Sequence, residues 1–134
     1  MNKADLSPES GSIAAVYLAR KAEGIAPLQK FADSYKLNSA GIKHDLVVIY
    51  KGFGRAADLN AAEQIFAEIP HMVIEVSDEG FDINAYVKAA RELHHDYVCF
   101  LNTFTEIVAP FWLSHLYRHV TSPPCWDCGC HRFL

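Results

Sequence analysis

The chain has 134 residues, 51% hydrophobic and 21% charged, enough for one core of ordinary size and too few for two independent domains. Its formal net charge of −4 gives no electrostatic footprint for a polyphosphate partner, which argues against nucleic acid. No apolar run approaches the roughly 20 residues that cross a bilayer, and the start MNKADLSPESGS lacks the apolar core of a secretion signal. The expectation is a cytoplasmic protein without an integral membrane segment.

Residues 1–11 are polar and without periodicity, and are expected to form a disordered lead-in. From Ser12 onward, short apolar runs alternate with amphipathic stretches. SIAAVYLA (12–19), DLVVIY (45–50), MVIEV (72–76) and YVCFL (97–101) have the composition and length of buried strands. Helical patterns follow each of them. The first uses Ile25, Leu28, Phe31, Ala32 and Tyr35. The second uses Leu59, Ala62, Ile65, Phe66 and Ile69, with Asp58 as the expected cap and Pro70 as the stop. The third runs from about Asp82 with Ile83, Tyr86, Val87, Ala90 and Leu93 as its apolar face. The fourth, after Pro110, carries Trp112, Leu113, Leu116, Tyr117 and Val120.

Continuous apolar strands joined by helices predict an α/β fold: a Rossmann-like, doubly wound, mainly parallel sheet of about four strands over residues 12–121, with right-handed crossovers. Ligands of such sheets sit beyond the carboxyl ends of the strands. The loops there read ARKAEG, KGFGRA, SDEGFD and NTFTEI, with neither a G-x-G-x-x-G nor a P-loop pattern. They gather Arg20, Lys21, Lys51, Asp78, Glu79, Asp82, Asn102, Thr103 and Glu106 along one edge. Cations and acids sharing a rim suit a charged ligand such as a nucleoside diphosphate with a divalent metal. The same residues also read as ordinary wet loops, and Asp82 as a helix cap or dipole partner.

The segment DEGFDINAYVKAARELHHDYVCFLNTFTEIVAPFWL resembles the middle of a GT-A nucleotide-sugar glycosyltransferase, nearest to bacterial enzymes that build rhamnan and other surface polysaccharides. In that family an Asn/Asp-x-Gly-x-Asp turn opens a helix, a strand follows, and the strand ends in Asn-Asp-Ser or Asp-x-Asp. Here the turn is DEGFD and the strand end FLNTF, with Gly80 and Asn102 separated by 22 positions. The resemblance covers about residues 12–120. It implies the donor half of a GT-A fold that binds a nucleotide-diphosphate sugar through Arg20, Lys51, Asp78, Gly80, Asp82, Asn102 and Thr103. The family's strand-end motif holds Mn²⁺ or Mg²⁺; with Asn102-Thr103-Phe104 in that place, the charge would come from Glu106 or Asp78. The half that carries the acceptor pocket and the catalytic base has no counterpart in the sequence. The resemblance therefore implies a donor-binding portion for glycan synthesis, with the acceptor and the catalytic residues unassigned. A non-catalytic α/β module that binds a nucleotide or another protein is the other reading.

The composition changes abruptly in the tail, residues 122–134. Cys125, Cys128, Cys130 and His131 have the residue types of a zinc site, but four ligands within seven residues strain the backbone, so a tail without a selected role is the competing reading. Cys99, inside an apolar strand, reads as a small core residue. A sheet lacking later strands leaves an apolar edge, and pairing with a second copy as a homodimer is the expectation.

Overall fold

The computed structural model describes residues 12–122, so the lead-in and the cysteine-rich tail lie outside the described residues. Four strands, β1 (Ile13–Arg20), β2 (Asp45–Lys51), β3 (Met72–Val76) and β4 (Tyr97–Leu101), form one all-parallel sheet in the order β3-β2-β1-β4. This is how the first four strands of a Rossmann sheet lie. The helices are α1 (Ala26–Leu37), α2 (Ala56–Ile65), α3 (Asp82–Glu92) and α4 (Trp112–Thr121), with a single 3-10 turn at Lys21–Glu23.

Handedness explains the layers. Right-handed crossovers from β1 to β2 and from β2 to β3 step the same way, so α1 and α2 share one face of the sheet. The chain must then cross the opposite face, as α3, to reach β4 on the far side of β1. Alternate side chains of the strands feed two cores accordingly. Ala15, Tyr17, Val48 and Tyr50 pack with Leu28, Phe31, Ala62 and Phe66 on the first face. Ala14, Val16, Leu18, Val47 and Ile49 pack with Ala85 and Ala89 of α3 on the second. The central strands β1 and β2 are buried from both sides, which is why their sequences run apolar without alternation. On the first face Tyr17 stacks on Phe31 with ring centroids 3.9 Å apart, an arrangement worth about 1 kcal/mol beyond its burial.

Two sequence expectations are corrected by the local geometry. Asp58 does not cap α2: the N-cap is Arg55, and Asp58 lies inside the first turn, 3.8 Å from Lys21 and 4.0 Å from Arg55. The buried face of α3 is Ala85 and Ala89, flanked by Tyr86 and Leu93, while Ile83 and Val87 face outward with Ala90. Two small residues let the helix lie close to the sheet, and the larger aliphatics one position away are left at the surface. The fourth helix, α4, begins at Trp112, after Pro110, as the sequence predicts, and the loop before it is long. Residues 102–111 first run back along α1: Ile107 donates its N–H to Ser34 Oγ at 2.8 Å and accepts from Asn38 Nδ2 at 2.9 Å. Phe111 N–H then reaches Ser39 O, so α4 begins at the amino edge of the sheet.

Candidate functional site at the carboxyl edge of the sheet

Because all four strands are parallel, their carboxyl ends share one edge. In register, Arg20 stands beside Lys51 and Lys51 beside Val76, whereas β4 already ends at Leu101, opposite Tyr17. The order reverses between β1 and β4, and there β1 runs on from Leu18 to Arg20 without a strand partner on the β4 side. Thr103 fills that step. Its hydroxyl donates to Leu18 O at 2.8 Å, and its own carbonyl accepts from the Tyr17 hydroxyl at 2.7 Å. Thr103 is buried, so its hydroxyl fastens the loop to β1 and does not face solvent.

Arg20, Lys51 and Asp82 do come together, and their charges are turned toward each other. Asp82 opens α3, where its carboxylate favours the positive end of the helix dipole. One oxygen, Oδ1, lies 3.4 Å from Lys51 Nζ and 3.5 Å from Arg20 Nε. The Arg20 contact lacks hydrogen-bond geometry, so it is a charge contact. Lys51 is only 3% exposed, and its ammonium also donates to Gly80 O at 2.9 Å. A desolvated cation needs such partners. The three residues thus tie the ends of β1 and β2 to the turn before α3. Gly80, with φ of +80°, supplies the left-handed backbone that aims its carbonyl at Lys51.

Asp78, Glu79, Asn102 and Glu106 are exposed. Asp78 rests against Gly52, where φ is +85° and an added Cβ would lie 3.3 Å from the carboxylate carbon. Together with Tyr50, Phe53, Gly54 and Ser77, these two residues line a groove at the ends of β2 and β3. Asn102 turns its carbonyl oxygen back to accept from Phe104 N–H at 3.0 Å and Thr105 Oγ1 at 3.3 Å, which shapes the loop after β4. A second groove, lined by Ala26, Pro27, Lys30, Phe104 and Glu106, lies between this loop and the start of α1. Arg20, Lys51 and Thr103 therefore build the edge from within, and Asp78, Asn102 and Glu106 are exposed on it.

The two carboxylates named for a divalent ion sit far apart. Asp78 follows β3 and Glu106 follows β4, the two outermost strands, separated by three strand spacings of about 14 Å in total. Among the described residues no three His, Cys, Asp or Glu side chains gather to hold a metal. The residues do not form a cage of their own. Magnesium carried by a diphosphate needs only one or two protein carboxylates, and Asp78 or Glu106 each offers one. The Cys125, Cys128, Cys130 and His131 set lies outside the described residues.

A polar network under α2 joins residues that the sequence analysis did not single out. Tyr50 donates its hydroxyl to Glu63 Oε2, which also faces His71 Nε2 at 2.8 Å, while His71 Nδ1 faces Ile69 O at 2.6 Å. Burial pushes the Tyr50 phenol far above its ordinary pKa, and the bond to Glu63 adds to the shift. Burial, with Tyr86 as a smaller cause, does the same to Tyr17. Both phenols are structural donors. On the amino side, His95 Nε2 lies 2.8 Å from Asp45 and His44 faces the Tyr35 hydroxyl at 2.6 Å. The six described histidines precede strands or lie on α4, so none stands on the carboxyl edge.

Fold and edge define a doubly wound α/β domain whose polar loops gather where such domains bind ligands. No protein-family model matches the chain, and a search of curated proteins gives no match either. Among the described residues no helix is long and apolar enough to cross a membrane.

Proposed function

We propose that the chain is the donor-binding portion of a glycosyltransferase, and that a nucleoside-diphosphate sugar lies across the carboxyl edge of the sheet. The observation that carries this reading is the strand order β3-β2-β1-β4, with exposed Asp78, Asn102 and Glu106 on either side of the place where the order reverses. In this reading Asp78 and the glycine-lined groove beside it take one end of the donor, and the Phe104–Glu106 loop takes the other. A divalent ion, where used, arrives with the diphosphate and is held by one of the two exposed carboxylates. Lys51, Arg20 and Asp82 act by holding the turn before α3 in place.

A non-catalytic nucleotide-binding or protein-interaction module is the second reading. It is favoured by one observation: the edge has no histidine among the described residues, and its best-buried cation is already neutralised by Asp82. Activation of an acceptor hydroxyl calls for a base within hydrogen-bond reach.

Thermal shift against uridine, guanosine and thymidine diphosphate sugars, each with and without Mn²⁺, tests the proposal. A ligand at 100 times its Kd stabilises the native state by about 2.7 kcal/mol and raises Tm. A rise with one nucleotide sugar and not with the free sugar supports donor binding. No rise with any member of the panel rejects it.

A further inference from the structure

Among the described residues β4 pairs only with β1, so its outer edge is open. Soluble proteins protect such edges with charge, proline, a bulge or a cover. The strand Tyr97-Val98-Cys99-Phe100-Leu101 has no charged residue and no proline. Its flanks on both faces of the sheet are apolar. Phe100 is 42% exposed on the second face, with its ring 4.6 Å from that of Tyr86. On the first face an apolar groove runs between β4 and α4, lined by Tyr97, Cys99, Leu113, Leu116, Tyr117 and Val120 with others.

We propose that this edge pairs with the same edge of a second copy, β4 against β4 in antiparallel register about a two-fold axis at Cys99, joining two four-stranded sheets into one of eight. The backbone fixes which residues meet. Tyr97 N–H points to β1, bonding Ser12 O at 2.9 Å, so by alternation Cys99 and Leu101 also face β1 while Val98 and Phe100 direct their N–H and C=O outward. Self-pairing about Cys99 sets Val98 opposite Phe100 of the other copy as a hydrogen-bonded pair and leaves Cys99 opposite its own equivalent as a non-bonded pair.

The polar flanks also match. The same register brings Asp96, whose Oδ2 accepts from Ser12 N–H, opposite Asn102 of the other copy, whose Nδ2 has no partner among the described residues. No like charges meet along the strand. A second copy is thus complementary to the edge in hydrogen bonding and apolar contact, with no like charges opposed, and a closed two-fold arrangement leaves neither β4 edge exposed.

In the antiparallel non-bonded position the two Cα atoms of Cys99 lie about 4.5 Å apart, within the range that a disulfide spans. The test uses the full chain with Cys125, Cys128 and Cys130 changed to serine. Analytical ultracentrifugation is expected to give twice the chain mass, and copper-phenanthroline with oxygen is expected to link most of the protein through Cys99. Burial pushes the Cys99 thiol up, so the oxidation is run at mildly alkaline pH. Phe100→Lys, at an exposed site, is expected to restore the monomer with its circular dichroism unchanged. A monomer at about 100 μM would overturn the proposal, and so would a dimer that neither links through Cys99 nor dissociates in the Phe100→Lys variant.

Discussion

Lys51→Met separates a lysine that holds the fold from one that binds phosphate. The side chain is 3% exposed, with its ammonium 2.9 Å from Gly80 O and 3.4 Å from Asp82. Methionine fills nearly the same volume, so the change removes the charge and its bonds without opening a cavity. A hydrogen bond to a charged group contributes about 1.5 to 3 kcal/mol, and Gly80 O loses such a bond. Asp82 keeps Arg20 at 3.5 Å and is partly solvated, so its loss is smaller than for a fully buried pair. The expected cost is about 2 kcal/mol in urea unfolding at neutral pH, or a fall in Tm of about 8 °C for a domain of this size. Nuclear magnetic resonance should place the largest shift changes at the turn before α3. A loss below about 0.5 kcal/mol would refute the argument, because a buried ammonium with these partners cannot be replaced at so little cost.

Other consequences of the geometry are testable in the same way. Tyr17→Phe keeps the stack on Phe31 but leaves the Thr103 carbonyl without its donor, and is expected to cost about 1 to 2 kcal/mol by urea midpoint. An unchanged midpoint would remove that bond from the account. Gly41→Ala forces a Cβ into φ of +81° and within 2.6 Å of the Phe111 ring, so a loss of at least about 1 kcal/mol is expected in thermal unfolding. Tyr17 and Tyr50 have phenols raised above the unfolded value, near 10, so the native state retains protons that the unfolded chain releases. The stability they contribute is complete below about pH 10 and falls as pH rises beyond it. Phenolate absorbance should therefore show these two groups ionising only as circular dichroism reports unfolding; their ionisation in the folded chain would contradict the burial argument.

Much of this fold was legible because the signals were periodic. The runs at 72–76 and 97–101 are strands with those bounds, the first is shifted by one residue at both ends, and the second is longer by one residue at its end. The uninterrupted apolar character of β1 and β2 predicted a sheet covered on both faces, as found for these central strands. The misread features depend on distant partners. Asp58 has the residue type of a cap, but the chain entered α2 at Arg55, and no local pattern distinguishes the two. Helix α3 contains two apolar stripes, and the sheet selected the one with alanines because they permit closer approach. At the edge, sequence assigned the polar residues to the loops after the strands and could not assign their directions. Arg20, Lys51 and Asp82 come within ion-pair distance only because β1, β2 and α3 converge there. One clue was available: a tyrosine in a wholly buried strand needs an acceptor, and Tyr17 called for one at the end of a neighbouring strand, where Thr103 stands. Tyr50, in the equally buried β2, called for an acceptor in the same way, but Glu63 on α2 and His71 before β3 lie too far away in the sequence for a local pattern to join them.

The most direct test of donor binding at the carboxyl edge is a map of amide shifts in the isotope-labelled chain as a nucleotide sugar from the thermal-shift panel is titrated in. The account predicts saturable shifts concentrated at Gly52, Gly54, Asp78, Asn102 and Glu106, with His44, His71 and His95 at the amino edge unmoved. Saturable shifts confined to the amino edge, or no shifts at millimolar ligand, would contradict it.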